Sequence, residues 1–285
     1  MRIRDGERDD DNVEEVIRYY NKTESRLGYD LVLGGTKHFG YYSKGDRPWD
    51  FRSALRRMEE KLAHSLELAP GSLVLDAGCG VGEVAVNLAS RHGLRVVGID
   101  ILDFNLTEAR KRARAEGVSR LVEFREMSYA ELELPADHFD GVYTMETLVH
   151  AASAAKVLRQ FWRVLKPGGR LVLFEYSRAP DAEMPPRCAR VLREINEVAA
   201  MPSFQRFEHG LLEGLVEAAG FSQVKSEDIT ERMLPMIRAF AVMGAVPYAI
   251  GVLTGKRRKV VNAMSAVEFW RYRRYWRYNV ITAAK

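Results

Sequence analysis

The chain has 285 residues, with 43 Lys and Arg against 39 Asp and Glu, so its formal net charge is +4. This near balance argues against a dedicated nucleic-acid binder, and the 47% hydrophobic fraction excludes an intrinsically disordered chain. Two cysteines, Cys79 and Cys188, are too few for a disulfide framework or a four-ligand zinc site.

The N-terminal residues and the longest apolar runs bear on where the protein is located. The first residues are polar and acidic, with no signal-peptide core, and no run of about 18 apolar residues occurs. We therefore expect a cytoplasmic protein without a transmembrane helix.

Residues 1–68 are predicted to form an N-terminal helical and aromatic segment that caps a substrate site. Apolar residues at 13–20 and at 50–68 recur at helical spacing, so each stretch is predicted as an amphipathic helix. Residues 27–49, between them, are rich in glycine and aromatic residues and are predicted to form a structured loop.

Residues 69–176 alternate between short apolar runs and helical patterns. Strands are predicted at 72–76, 95–99, 121–125, 139–144 and 170–175, and helices at 82–92, 105–117, 128–133 and 153–165. Such alternation predicts an α/β fold with a parallel sheet covered on both faces.

Residues 177–285 are predicted to supply the remaining core strands and, over about 180–260, an insertion that covers the substrate. Helical patterns at 180–202 and 209–219 precede a strand at 222–228, and 278–283 is a candidate final strand. Aromatic residues and arginines alternate over 270–278, which we interpret as a strand with one packed face rather than as a single-stranded nucleic-acid site.

An apolar run at 239–253 is followed at once by four basic residues, 256–259. One interpretation is a hydrophobic lid whose basic edge contacts a membrane surface or a diphosphate. A buried helix followed by a solvated turn is the alternative.

The most informative motif is the loop that follows the first predicted strand. Asp76 precedes glycines at 78, 80 and 82, and strand two ends about twenty residues later in Asp100. The G-x-G-x-G spacing differs from the G-x-G-x-x-G of dinucleotide sites, which holds a phosphate. The carboxylate of Asp100 can accept hydrogen bonds from the hydroxyls of a ribose, and the carboxylate of Asp76 can accept one from an amino-acid moiety. This combination indicates S-adenosylmethionine (SAM) rather than an ordinary strand–helix turn.

These motifs resemble those of class I SAM-dependent methyltransferases, with the loop as their first motif and Leu165–Gly169 as the motif before strand five. The resemblance implies a Rossmann-like fold with a mostly parallel seven-stranded sheet. It also implies a set of cofactor-binding residues: Asp76, Gly78, Cys79, Gly80, Gly82, Asp100, Ile101, Asn105, Met127, Ser128 and Glu146. Met127 and Ser128 depart from the family pattern, because an acid usually follows strand three.

A narrower resemblance is to sterol C-methyltransferases. It rests on residues 142–151 after strand four, on Phe174–Tyr176, and on an N-terminal aromatic signature that includes Tyr19, Tyr20 and the Gly-x-x-x-His-Phe ending at Phe39. Leu33 stands where the family usually has Trp, and the C-terminal half shows no match. The resemblance implies C-methylation of an alkene in a hydrophobic isoprenoid such as a sterol, a terpenoid or a prenylated specialised metabolite.

Alkene methylation creates a carbocation, which requires electron-rich walls without water and then proton loss or cyclisation. Glu146 is the predicted base and His150 its hydrogen-bond partner, because i, i+4 spacing would place them on one helical face. Tyr20, Tyr29 and His38 complete the candidate catalytic set. The predicted aromatic wall comprises Tyr19, Tyr20, Tyr29, Phe39, Tyr41, Tyr42 and Trp49.

Several alternatives stay open at this point. Glu146 could serve the cofactor alone, and His150 could be a core histidine. Glu146 or His150 could instead deprotonate a hydroxyl in an O- or N-methyltransferase of a small aromatic or quinone-like metabolite. The expected partner is a hydrophobic small molecule, with no nucleic acid and no metal. A peripheral membrane contact and a homo-oligomer are further expectations, and the N-terminal helix could either pack on its own domain or exchange with that of a neighbouring copy.

Overall fold

The computed structural model describes residues 9–20 and 35–285, with side chains described for 13–20 and 35–285. Tyr29 and Leu33, which entered the sequence argument, lie outside the described residues.

A single sheet of seven strands organises the fold. Its order is β3-β2-β1-β4-β5-β7-β6; β7 is antiparallel to both neighbours and the other adjacent pairs are parallel. The predicted Rossmann-like, mostly parallel sheet is therefore confirmed. The strands are β1 (Leu73–Ala77), β2 (Arg95–Asp100), β3 (Val122–Glu126), β4 (Phe139–Met145), β5 (Leu165–Arg178), β6 (Ser222–Asp228) and β7 (Trp276–Ala284).

The strand order explains where a ligand site forms. The chain leaves β1 toward β2 on one side and later returns to place β4 on the other, so β1 lies at the point where the order reverses. In open α/β sheets, the crevice beyond the carboxyl end of such a strand is the usual ligand site. Residues 74–77 of β1 are buried, as a central strand covered on both faces requires.

Nine α-helices accompany the sheet in the described part of the chain. Among them, the helix over 51–66 begins at an Asp50 cap and buries Met58, Leu62 and Leu66. The helices are α1 (Asp9–Tyr20), α2 (Phe51–Leu66), α3 (Glu83–His92), α4 (Asp103–Ala115), α5 (Ala154–Val164), α6 (Pro186–Val198), α7 (Leu211–Ala218), α8 (Thr230–Leu253) and α9 (Val261–Arg271).

The N-terminal helix packs on the C-terminal part of the chain. Val16 and Tyr19 of α1 share a hydrophobic cluster with Ile195 of α6, Tyr248 of α8 and Met264 of α9. These helices together cover the carboxyl-end crevice, because residues from α1, α8 and α9 line its cavities.

The predicted helix at 128–133 is wrong, because the segment forms turns and irregular structure. The guanidinium of Arg163 donates to the carbonyl oxygens of Leu132 and Leu134, each at 2.7 Å. The hydroxyl of Tyr129 donates to the carbonyl of Thr147 at 3.0 Å. Hydrogen bonds between side chains and backbone thus tie this segment to neighbouring elements without a helical ladder.

The predicted strand over 270–278 is also wrong. Helix α9 continues to Arg271, a turn follows, and β7 begins only at Trp276. The guanidinium carbons of Arg273 and Arg238 lie 4.5 and 6.0 Å from the centroid of the Trp270 ring. The alternation of aromatic and basic residues therefore reflects stacking around a helix end.

Candidate functional site

The first cavity of interest lies at the carboxyl ends of β1 and β2, under α1. The glycine loop forms its floor: the amides of Gly78 and Cys79 each donate to the carbonyl of Ile99 at 2.9 Å. The amide of Gly80 donates to Asp100 Oδ2, also at 2.9 Å. The loop is thereby tied to the end of β2, so Asp76 and Asp100 face one cavity.

Asp76 carries an unsatisfied polar atom in this cavity. Its side chain is 3% exposed, and Oδ2 has no hydrogen-bond partner among the described residues. Burial raises the pKa of Asp76 to about 7. A buried carboxylate oxygen without a donor is costly, so the site is suited to a ligand that brings a cationic donor.

Asp100 is held in place by three donors. Its carboxylate accepts from the amides of Gly80 and Leu102 at 2.9 Å each and from Asn105 Nδ2 at 3.2 Å. Burial raises the pKa of Asp100 against these hydrogen bonds. Lys37 Nζ in turn donates to Asn105 Oδ1 at 3.2 Å.

Most of the predicted cofactor-binding residues lie along this cavity. The exception is Gly82, whose neighbours Val81 and Glu83 line it instead. A Cβ at Gly82 would lie 2.6 Å from Ala109 Cβ and 2.9 Å from Phe124, so glycine serves the packing of α3 and α4 there. The predicted residues that line the cavity are Asp76, Gly78, Cys79, Gly80, Asp100, Ile101, Asn105, Met127, Ser128 and Glu146.

SAM fits these residues. The unpartnered oxygen of Asp76 would accept a hydrogen bond from the ammonium group, and Asp100 with Asn105 would hold the ribose hydroxyls. The space where a Gly80 Cβ would lie has no atom within 4 Å, which leaves room for a ligand against the backbone.

A second, apolar cavity of about 410 Å³ adjoins the first. Five residues line both cavities and therefore form the junction between them: Tyr20, Lys37, His38, Glu146 and His150. The other walls come mainly from the C-terminal helices and are rich in aromatic and aliphatic side chains, including Phe39, Tyr176, Phe204, Ile237, Phe240, Met243 and Phe269.

Glu146 occupies the junction in a strained conformation. Its φ of 60° lies in the left-handed region, which a non-glycine residue rarely adopts. Its carboxylate accepts hydrogen bonds from the Phe39 amide at 2.8 Å, from the Tyr278 hydroxyl at 2.9 Å and from the Tyr176 hydroxyl. Burial raises the pKa of Glu146 despite these three donors.

The predicted pairing of Glu146 with His150 is wrong. Residues Leu148–His150 form a single 3₁₀ turn rather than an α-helix, and no hydrogen bond joins these two described side chains. Nδ1 of His150 lies 2.7 Å from the Ala200 carbonyl, so it carries the proton, and Nε2 faces the Tyr20 hydroxyl at 3.1 Å. Burial lowers the pKa of His150 to about 4, so the ring is neutral at physiological pH.

His38 lies at the junction but is anchored beneath it. Its Nδ1 lies 3.0 Å from the Phe39 carbonyl, and its Nε2 is 3.4 Å from the buried Glu59 carboxylate, which also accepts from Asn87. Burial alone would lower the pKa of His38, but the hydrogen bond and negative charge of Glu59 outweigh it and raise the pKa.

The predicted aromatic wall is only partly assembled. Tyr19, Tyr20 and Phe39 line the apolar cavity. Tyr42 is instead buried in a separate cluster beside Met236, and Trp49 is exposed. Tyr41 packs near Arg232, with the guanidinium carbon 5.6 Å from the ring centroid.

Sequence reasoning missed Glu175 and Tyr278 as site residues. Glu175, fully buried on β5, accepts from the amides of Leu148 at 2.7 Å and Thr147 at 3.1 Å and so fixes the turn that carries His150. Burial raises the pKa of Glu175 to about 8. A glutamate within an apolar strand was the available signal, since a buried carboxyl requires donors.

Metal ligation finds no support in the described part of the chain. Within residues 9–20 and 35–285, no three His, Cys, Asp or Glu side chains form a group that could hold a metal ion.

The strand order, the glycine loop and the acid at the end of β2 define a class I SAM-dependent methyltransferase fold. Residues 75–173 match the family described as Methyltransferase domain. The chain is 43% identical over 276 residues to an S-adenosyl-L-methionine-dependent Diels-Alderase of Talaromyces variabilis, covering 95% of this chain and 94% of that protein.

Other similarities are more distant. A sterol 24-C-methyltransferase of Gibberella zeae is 31% identical over 222 residues, which cover 77% of this chain and 56% of that protein. The crystal structure of the cyclase SpnF superposes with a TM-score of 0.73 at 23% identity over 96% of each chain. The chain therefore belongs to the SAM-dependent methyltransferase family, is an enzyme of that family and uses SAM as its cofactor.

Proposed function

We propose that this enzyme is a SAM-dependent cyclase that closes a six-membered ring in an apolar polyene by an intramolecular Diels–Alder reaction. The observation that carries the proposal is the extent of the similarity to the Talaromyces Diels-Alderase. That match leaves only about 5% of the chain outside it, so it includes most of the helices that wall the apolar cavity. A match limited to the glycine loop would support cofactor use alone.

The shape of the apolar cavity supports this reaction. A Diels–Alder cyclisation forms two carbon–carbon bonds between a diene and an alkene of one molecule, and no proton leaves the substrate. What it needs is a folded substrate whose reacting ends lie close together. A cavity of about 410 Å³ with mostly apolar walls would hold such a conformer, and positioning of this kind lowers a barrier by several kcal/mol.

The polar junction supports it as well. Electron withdrawal from the alkene, by a hydrogen bond or positive charge at an adjoining carbonyl, accelerates the cycloaddition. Lys37 supplies an ammonium group that lines both cavities, 4.5 Å from the centroid of the Tyr20 ring. SAM bound in the first cavity supplies a sulfonium charge and, in a methyltransferase, a transferable methyl group.

Methylation of an alkene carbon in a hydrophobic isoprenoid is the second candidate. The rings of Tyr176, Phe204 and Phe269 in the cavity wall favour it, because aromatic faces stabilise a carbocation. Glu146 would then be the base that removes a proton. Three protein donors already occupy the Glu146 carboxylate, so this role requires displacement of one of them.

O- or N-methylation of a small aromatic metabolite is less well supported. It needs a general base whose pKa is near the working pH. His150, with its pKa near 4 and both ring nitrogens hydrogen-bonded, is poorly suited to deprotonate a hydroxyl.

Product mass and the fate of SAM distinguish the candidates. Purified enzyme with methyl-labelled SAM is incubated with linear polyenes that carry a diene and an alkene conjugated to a carbonyl, and separately with sterols and prenyl diphosphates. A cyclase gives a product isomeric with its substrate, needs SAM and leaves the label on SAM through many turnovers. Transfer of the label to a carbon atom, with an equal amount of S-adenosylhomocysteine, would refute the cyclase proposal.

Glu146→Gln provides a matched test. In a cyclase the variant should retain activity within about tenfold of wild type, because no proton is removed. In a C-methyltransferase loss of the base should cost about a hundredfold or more. SAM affinity, measured by calorimetry, shows whether the cofactor cavity survives the substitution.

A further inference from the structure

Helix α8 presents an apolar stripe on the outside of the protein. Val242, Val246, Ile250 and Leu253 recur every three or four residues and are 62%, 67%, 56% and 86% exposed. The stripe lies on one face of the helix and extends for about 16 Å at the rise of an α-helix. Large exposed apolar side chains arranged in a continuous band mark an interaction surface.

Cations lie at both ends of the stripe. Arg238, one helical turn before Val242, is exposed, and exposed Lys256 and Lys259 follow the helix. Lys256 and Lys259 have no ion-pair partner among the described residues, whereas Arg257 and Arg258 pair with Glu194 and Glu197. The sequence contains no Asp or Glu between Glu231 and Glu268.

The opposite face of the same helix walls the substrate cavity. Ile237, Phe240, Gly244 and Pro247 line it, and Met243 lines it while 42% exposed. The stripe and the cavity are therefore two sides of one helix. An apolar molecule could pass from a lipid phase into the cavity past Met243 with little exposure to water.

We propose that α8 docks on anionic phospholipid membranes, with the Val242–Leu253 stripe at the boundary of headgroups and acyl chains and Lys256 and Lys259 on anionic headgroups. Amphipathic surface helices with basic residues bind membranes in this manner. The proposal does not depend on which reaction the enzyme catalyses.

Two other arrangements fit the observations less well. Among the described helices, only α8 is long and apolar enough to cross a membrane, but 39% of its most apolar window is buried and α9 packs against it. For a second copy of the chain, one stripe about 16 Å long and one helix wide offers a few hundred Å² at most. A stable interface takes about 800 Å² from each partner.

Vesicle flotation with the purified enzyme tests the proposal. Wild type should float with vesicles of phosphatidylcholine mixed with phosphatidylserine, more weakly with phosphatidylcholine alone, and less as salt is raised. The double variant Val246→Glu and Ile250→Glu should bind at least tenfold more weakly. Leu211→Glu is the control, because Leu211 is an apolar residue on α7 that is 51% exposed. This variant should bind vesicles as wild type does.

A second variant guards against misfolding of the first. Lys256→Glu with Lys259→Glu changes exposed positions only and should weaken binding about fivefold for each lysine. Circular dichroism melts and SAM affinity report whether each variant is folded. The proposal fails if wild type does not float with anionic vesicles, or if Leu211→Glu loses binding to the same degree. It also fails if light scattering shows that wild type is a dimer and the Val246→Glu, Ile250→Glu variant a monomer, while neither of them binds vesicles.

Discussion

Replacement of Asp76 by Asn tests the physical account of the cofactor cavity most directly. The substitution keeps the size and shape of the side chain, removes its ability to ionise and replaces one acceptor oxygen by an amide donor. Folding raises the pKa of Asp76 from the ordinary 3.8 to about 7, because the carboxyl is buried and the negative charge of Asp100 lies nearby. The protein without SAM should therefore be less stable when Asp76 is ionised.

The size of this effect follows from proton linkage. Between about pH 4 and pH 7 the folded protein holds a proton on Asp76 that the unfolded chain has lost, so the free energy of unfolding falls as pH rises through that window. A shift of about three pKa units at about 1.4 kcal/mol each gives a loss of about 4 kcal/mol above pH 7. The Asp76→Asn variant should escape this loss.

Urea denaturation without SAM at several pH values measures the difference. The variant should match wild type near pH 4 and exceed its free energy of unfolding by about 4 kcal/mol near pH 8. For SAM binding we expect the opposite order, with wild type as the better protein. The variant should bind SAM at least tenfold more weakly near pH 8, because a charged hydrogen bond is lost.

Asp103→Asn is a suitable control, since that carboxylate is exposed on α4. It should leave both the pH dependence and SAM affinity unchanged. Parallel stability curves for wild type and Asp76→Asn, or equal SAM affinity, would refute the assignment of Asp76 to the cofactor ammonium.

Two further predictions concern the turn behind the junction and the glycine loop. With its pKa near 8, Glu175 is mainly protonated at neutral pH. Glu175→Gln should therefore change the free energy of unfolding by less than about 1 kcal/mol at pH 7. Glu175→Ala should cost about 2–4 kcal/mol, because the amides of Thr147 and Leu148 lose their acceptor. Urea denaturation of both variants checks this, and an equal loss in the two would contradict it. Gly80→Ala should cost only about 1–2 kcal/mol, because its φ of 52° is left-handed but its Cβ would meet no atom within 4 Å. Calorimetry should nevertheless show loss of SAM binding, and unchanged affinity would place the cofactor elsewhere.

The sheet and the cofactor cavity were largely predictable from the sequence. Alternating apolar runs and helical patterns specify the βαβ units because each buried strand must be covered on both faces. Asp76 and Asp100 lie at the carboxyl ends of β1 and β2, and parallel neighbouring strands bring such ends together. Local patterns therefore sufficed where connections are short and topology is constrained.

The junction was not predictable in the same way. His150 is fixed by the Ala200 carbonyl and the Tyr20 hydroxyl, 50 and 130 residues away in sequence. A periodic pattern cannot report such partners, and helical spacing wrongly paired His150 with Glu146. The strand prediction for residues 270–278 was wrong for a related reason. Aromatic and basic residues that stack on one another at a helix end can alternate with the same period as a strand.

The placement of β7 has a consequence for synthesis of the protein. Strand β7 lies between β5 and β6 but follows both along the chain, and its Tyr278 reaches a carboxylate 132 residues earlier. Until β7 has been synthesised, β5 presents an open edge of unpaired backbone groups and Glu146 lacks one of its donors. Ribosome-bound intermediates that lack β7 should therefore be inactive and prone to aggregate, and the site is completed only after β7 has left the ribosome.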